Sequence, residues 1–148
     1  MNNRLAFILG IRPDVIRAAL IIKQLRRYSD CSLHLVWSGQ HYSDNLKDIF
    51  FRELDVLPEE VRLDCGGQTD AEIAASVIAK LYPVLRDLDP AAAVFLGDTN
   101  TTIGAIAAAQ LNVPVVHIEG CMRSYDWRMP EEKYRTVIDH LADRIYTY

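Results

Sequence analysis

The sequence has no stretch of about twenty apolar residues. Its longest apolar runs are about seven residues, far short of a bilayer span. It also lacks a dominant charge. Its 16 Lys and Arg stand against 20 Asp and Glu, a net charge of −4 that argues against a general nucleic-acid binder. Cysteine is scarce: Cys31, Cys65 and Cys121 are odd in number, widely separated and without CxxC spacing. Neither a disulfide framework nor a zinc site is expected, and a reducing, cytoplasmic setting fits. Near the N-terminus Leu5–Leu9 is apolar, but Arg12-Pro13 cuts the run too short for a secretory leader. Internal repeats, low-complexity tracts and linker-like stretches are absent as well. What remains is a chain of 148 residues, 50% hydrophobic, large enough for one core and short for two. A function that needs two domains is expected to find one of them here.

Short β-prone runs alternate with longer helical patterns. Strands are expected at Arg4–Gly10, Ser32–Gly39, Val61–Asp64, Ala92–Gly97, Val113–Glu119 and Arg144–Tyr148. Helices are expected at Asp14–Tyr28, Asp44–Leu54, Asp70–Leu88, Thr101–Leu111 and Glu131–Ala142. In the third of these, Ala74, Ile78, Leu81, Leu85 and Leu88 recur at steps of three and four and form one apolar stripe. Thr69-Asp70-Ala71-Glu72 has capping-box spacing at its start. The run Ala92–Gly97 is apolar nearly throughout, as a strand covered on both faces requires. The alternation predicts an α/β fold: a doubly wound, Rossmann-like parallel sheet with helices on both sides.

In such a sheet, ligands bind outside the carboxyl ends of the strands. The first strand is followed by Gly10-Ile11-Arg12-Pro13-Asp14 and then Arg17, the second by Gly39-Gln40-His41. The Ala92 strand leads into Gly97-Asp98-Thr99-Asn100-Thr101-Thr102, and the Val113 strand into His117-Ile118-Glu119-Gly120, then Met122-Arg123. Arg, Gln, His, Asp and Glu thus collect on one rim, suited to a ligand with anionic and hydroxyl-rich parts. Gly10-Ile11-Arg12 is not GxGxxG, and the Gly97 loop lacks the P-loop lysine and second glycine. A simple dinucleotide site and a P-loop NTPase are both disfavoured.

These segments resemble a known family, the non-hydrolysing UDP-N-acetylglucosamine 2-epimerases. Gly10-Ile11-Arg12-Pro13-Asp14 is similar to that family's Gly-Thr-Arg-Pro-Glu opening, Gln40-His41 to its Gln-His pair, and Gly97-Asp98-Thr99 to its Gly-Asp-Thr loop. Glu119 and Arg123 match its Glu-Ala-Gly-Leu-Arg segment, and Pro130-Glu131-Glu132 with Arg135 its Pro-Glu-Glu-x-x-Arg. The motifs occur in family order along the whole chain. The resemblance implies residues 1–148 as a single N-terminal domain, one half of a GT-B-like pair whose other half holds most of the UDP site. It also implies a homodimer, and interconversion of UDP-GlcNAc and UDP-ManNAc without NAD or another cofactor. In that chemistry the C2 proton is removed, UDP leaves to give a 2-acetamidoglucal, and UDP returns after protonation from the other face. A lone N-terminal domain is expected to be inactive.

Each candidate has a bland reading beside the functional one. Asp98, between a buried strand and a Thr-rich helix start, reads from residue type as an N-cap; the resemblance implies a catalytic or orienting carboxylate. Glu119 ends a Val-rich strand with His117 on its face by period two, and packing gives it no reason to be there. Glu131 lies in the first turn after Pro130, where the helix dipole favours an anion by ~0.3–1 kcal/mol. Arg135, four residues on, is placed to pair with it; the resemblance implies a catalytic role for Glu131. Arg12, before a proline at a strand–helix turn, suits an anion, by resemblance the diphosphate. Arg17 stands where the family has lysine, and Arg123 and Arg135 complete the substrate-binding candidates. Gln40 and His41 resemble residues that bind a second UDP-GlcNAc as activator in bacterial members; the polar residue expected three positions later is Ser43. His34 and His140 lack a supporting pattern, and Trp37 is expected in the core. Two other classes remain open: a non-catalytic sugar-nucleotide binding or partner module, and half of a GT-B glycosyltransferase.

Overall fold

The computed structural model describes residues 3–28, 30–39, 53, 54, 56 and 61–147. Among these residues six parallel strands form one sheet: β1 (Arg4–Leu9), β2 (Ser32–Trp37), β3 (Val61–Arg62), β4 (Ala92–Leu96), β5 (Val115–Ile118) and β6 (Arg144–Tyr146). Their spatial order is β3-β2-β1-β4-β5-β6, the doubly wound Rossmann-like order. The order reverses between β1 and β4, which pair from Leu5 with Ala92 to Ile8 with Phe95. A cavity lies at this switch point, lined by residues of the loops after β1 and β4.

Period two sorts the strand residues into two cores. Ala6, Ile8, Val36, Ala93, Phe95 and Val115 face one side, where α2 (Asp70–Leu88), α3 (Ala105–Gln110) and α4 (Pro130–Leu141) cover them. Phe7, Leu9, Leu33, Leu35, Trp37, Val94 and Leu96 face the other side, packed on Val15, Ala18, Ala19 and Ile22 of α1 (Arg12–Arg27). Trp37 sits in this core as its sequence suggests.

The capping box of α2 forms as spaced: Glu72 N–H donates to Thr69 Oγ1 at 3.2 Å, and Thr69 N–H to Glu72 Oε2 at 3.1 Å. Its buried stripe is centred on Val77, Leu81 and Leu85, while Ala74, Ile78 and Leu88 flank it half-buried. The helix thus turns the expected face to the core, with Val77 added at the edge of the stripe. The expected helix at Thr101–Leu111 is split into a 3-10 turn, Asn100–Gly104, and α3. Strand β5 begins at Val115 rather than Val113, because Asn112 turns through φ +55 and Pro114 has no N–H for a ladder. The expected helix at Asp44–Leu54, apart from Glu53 and Leu54, lies outside the described residues, as do Gln40, His41 and Ser43.

Candidate functional site

Close backbone approach shapes the rim. A Cβ on Gly10 would lie 1.8 Å from Thr101 Oγ1 and 3.2 Å from Ser38 Oγ. Those two hydroxyls hydrogen-bond each other at 2.7 Å, drawing the loops after β1, β2 and β4 together. Asp14 fastens the first loop: its buried Oδ2 accepts the Gly10 and Ile11 N–H groups, each at 3.0 Å, giving α1 a reach-back cap at its N-terminus. Arg12 lies half-buried in the first turn of this helix.

Arg17, one turn further along α1, uses both arms of its guanidinium. One nitrogen holds Asp14 Oδ1 at 2.6 Å and the other is hydrogen-bonded to Glu119. Burial lowers the Arg17 pKa, but Asp14, Glu119 and Asp98 more than compensate and the net shift is upward. Gly97 makes room for this group: it turns through φ +74, and a Cβ there would meet both terminal nitrogens of Arg17 at 3.1 Å.

Asp98 follows Gly97 and is not a helix cap. The cap position of the next turn is Thr99, and the Asp98 carboxylate is instead gripped by Arg135 of α4, whose Nε donates at 2.9 Å. The same guanidinium reaches Glu132 Oε2 at 2.8 Å. Arg135 therefore pairs with Asp98 and with Glu132 three residues back, not with Glu131 as helical spacing suggests. Glu132 is buried and accepts Ser124 N–H at 2.9 Å, Ser124 O–H at 3.0 Å and Tyr125 N–H at 3.1 Å. The Ser124 backbone donor above all, helped by these others and by Arg135 against the cost of burial, holds its pKa down at about 2. It is a fixed anion that orders the loop before α4.

Glu131, its neighbour, faces a cavity of about 300 Å³ at the switch point, lined also by Gly10, Ile11, Ser38, Gly39, Cys65, Asp98, Thr99 and Thr101. Burial pushes the Cys65 thiol upward, so it stays protonated as part of the wall. Asp98 and Glu131 thus share one cavity, whereas Glu119 is not among its lining residues and pairs with Arg17. Arg123 is paired with Asp139 at 2.7 Å. Asp139 in turn receives His117, which is fully buried beneath the rim.

Sequence reasoning missed Asp14, Glu132 and Asp139 as organisers of the site. A signal existed for the last two: they lie seven residues apart, two turns along one face of α4. His34 and His140 are outside the site; His34 bonds Ser32 Oγ at 3.0 Å and His140 the Thr136 carbonyl at 2.7 Å. Among the described residues no group of three or more His, Cys, Asp or Glu is arranged to hold a metal ion, and no helix is long and apolar enough to cross a membrane.

Residues 23–148 match the family profile described as UDP-N-acetylglucosamine 2-epimerase. The UDP-N-acetylglucosamine 2-epimerase of Methanocaldococcus jannaschii is 35% identical over 97% of this chain and 39% of its own length. The UDP-2,3-diacetamido-2,3-dideoxy-D-glucuronate 2-epimerase of Pseudomonas aeruginosa is 34% identical over 94% of this chain and 40% of its own. The crystal structure of the M. jannaschii enzyme in complex with UDP-GlcNAc and UDP superposes with a TM-score of 0.91, at 35% identity, over 97% of this chain and 40% of that one. The chain spans about two fifths of the length of these relatives. With the profile covering most of its residues, the chain belongs to the UDP-N-acetylglucosamine 2-epimerase family.

Proposed function

We propose that this chain supplies the acid–base side of a 2-epimerase active site that interconverts UDP-GlcNAc and UDP-ManNAc. The observation that carries the proposal is the shared cavity of Asp98 and Glu131; Glu119 is paired with Arg17. A C2 epimerisation needs one group to take a proton from one face of the sugar and another to return it to the opposite face. The C2–H bond breaks, its proton passing to a carboxylate, as the C1–O bond breaks and its electron pair leaves with UDP. The C1–C2 double bond of the glucal forms. Protonation of C2 from the other face and attack of the UDP oxygen on C1 complete the exchange, with no net oxidation.

In this reading Asp98, Glu119 and Glu131 form the proton-transfer set. Arg12, at the positive end of α1, steers the diphosphate. Arg17, Arg123 and Arg135 hold the carboxylates in place and complete the anionic subsite. Gln40 and His41 contact substrate or a second sugar nucleotide. The other wall, with most of the uridine site, comes from a further domain in the manner of a GT-B pair, and the working unit is a homodimer. A cytoplasmic enzyme feeding cell-surface polysaccharide synthesis fits the unpaired cysteines and the product.

One observation favours a second substrate. Identity to the diacetamidoglucuronate epimerase is almost as high as to the UDP-GlcNAc enzyme. Both reactions invert C2 beside an acetamido group, so the same carboxylates serve either. Incubating the full-length protein with each sugar nucleotide in D2O and reading deuterium at C2 tests the chemistry and names the substrate. Transfer of the sugar to an acceptor, with no label at C2, would replace this reading by a glycosyltransferase.

A further inference from the structure

His117 is fully buried under the rim, and no step proposed above uses it. Its Nδ1 stands 2.6 Å from Asp139 Oδ1, and its Nε2 2.7 Å from the Gly97 carbonyl oxygen. A carbonyl oxygen only accepts. Asp139 Oδ1 accepts as well: it belongs to the carboxylate of an ion pair, whose other oxygen takes the Cys121 N–H at 3.1 Å and stands 2.7 Å from an Arg123 nitrogen. A neutral imidazole carries one N–H and one bare lone pair, so either tautomer would press that lone pair against an oxygen. Turning the ring over brings no relief. It would set C–H groups at these positions, closer than the ~3.3–3.6 Å at which carbon meets a carbonyl oxygen.

We infer that His117 is a buried imidazolium, protonated at both ring nitrogens, and that it is a positioning residue for Asp98 and Glu119. The Gly97 carbonyl it holds belongs to the peptide that leads into Asp98, at a residue whose φ of +74 sets the direction of the turn. On its other side Asp139 ties down the Glu119–Cys121 turn, where Glu119 and Cys121 both adopt φ +64. Gly120 lies against the pair: a Cβ there would be 2.9 Å from His117 Nδ1 and 3.0 Å from Asp139 Oδ1. Asp139 and Glu131 share α4, so one buried cation links the segments that carry all three candidate carboxylates. The positioning role rests on the proposed function; the protonation state does not.

The test is side-chain 15N NMR of the 148-residue chain at neutral pH, with His34 and His140 as references. His117 is expected to show two ring protons shielded from solvent exchange and both nitrogens at protonated shifts. A ring with one bare nitrogen overturns the inference, and this reading needs no variant. In Asp139→Asn, His117 is expected to fall to one ring proton, and the amide signals of Gly97, Asp98 and 119–121 to move while those of α2 stay. Unmoved signals at those loops overturn the positioning role. In the full-length protein, Asp139→Asn is expected to lower kcat for C2 exchange by about 10²-fold with KM little changed, the effect of a small misplacement of reacting groups; an unchanged kcat overturns it. Absence of C2 exchange in the wild type would instead defeat the epimerase reading and leave the NMR result standing.

Discussion

Arg17 joins the first helix to the end of the fifth strand: one arm of its guanidinium is bonded to Glu119, while the other holds Asp14 at 2.6 Å. The two acids lie 105 positions apart in sequence, and one fork sets both. Removing it leaves a buried Asp14 oxygen short of a donor and frees Glu119 to turn away. Arg17→Ala is expected to destabilise the chain by about 1–3 kcal/mol, the cost of an acceptor left unmade. Arg17→Lys keeps the charge without the fork and should fall between. Urea denaturation checks both, and equal stability of all three proteins would remove Arg17 as an organiser.

Glu132 links stability to pH. Its folded pKa, about 2, is below the ordinary 4.5, so its contribution is full above the ordinary value and is lost as pH falls through the folded one. Glu132→Gln should therefore lower the urea midpoint clearly at neutral pH. The gap to wild type should narrow as pH falls from about 4.5 towards 2. A gap independent of pH would mean that Glu132 acts by shape alone.

Gly10 faces a hydroxyl at a distance no side chain tolerates. Gly10→Ala forces the loops after β1 and β4 apart and is expected to cost about 1–3 kcal/mol, as overpacking does. Adding Thr101→Ala removes the oxygen in the way and should recover part of the loss. Thermal unfolding of the single and double variants reads the coupling directly.

The chain alone is expected to give negligible UDP-ManNAc from UDP-GlcNAc, since the reaction proposed for it needs a closed cleft and this chain provides one wall. Product analysis by anion-exchange chromatography decides; robust turnover by the 148 residues would defeat the two-domain account.

Much of this was legible in the sequence. Strand order, the helices expected among the described residues, the buried strand Ala92–Leu96 and the capping box at Thr69 follow from local rules of period and cap chemistry, and these appear. Polar residues at strand ends marked the rim for the same reason. What local rules cannot give is which acid an arginine chooses. Helical spacing offered Glu131 to Arg135, but Asp98 arrives from another loop 37 positions away and Glu132 is already fixed by the Ser124 turn. That choice leaves Glu131 facing the cavity. Asp14 was likewise invisible and Asp139 showed only its spacing from Glu132, since each draws its meaning from backbone N–H groups that only the folded loops bring near.

The central claim is that the acids on this rim exchange the proton at C2. The direct measurement is NMR or mass detection of deuterium at C2 of UDP-GlcNAc incubated in D2O with the full-length protein and with its Asp98→Asn and Glu131→Gln variants. The account predicts label at C2 in both epimers with the wild type, and a loss of about 10²–10⁴-fold in each variant, the usual worth of a positioned acid or base. Epimers formed without label, or variants that exchange as fast as the wild type, would contradict it.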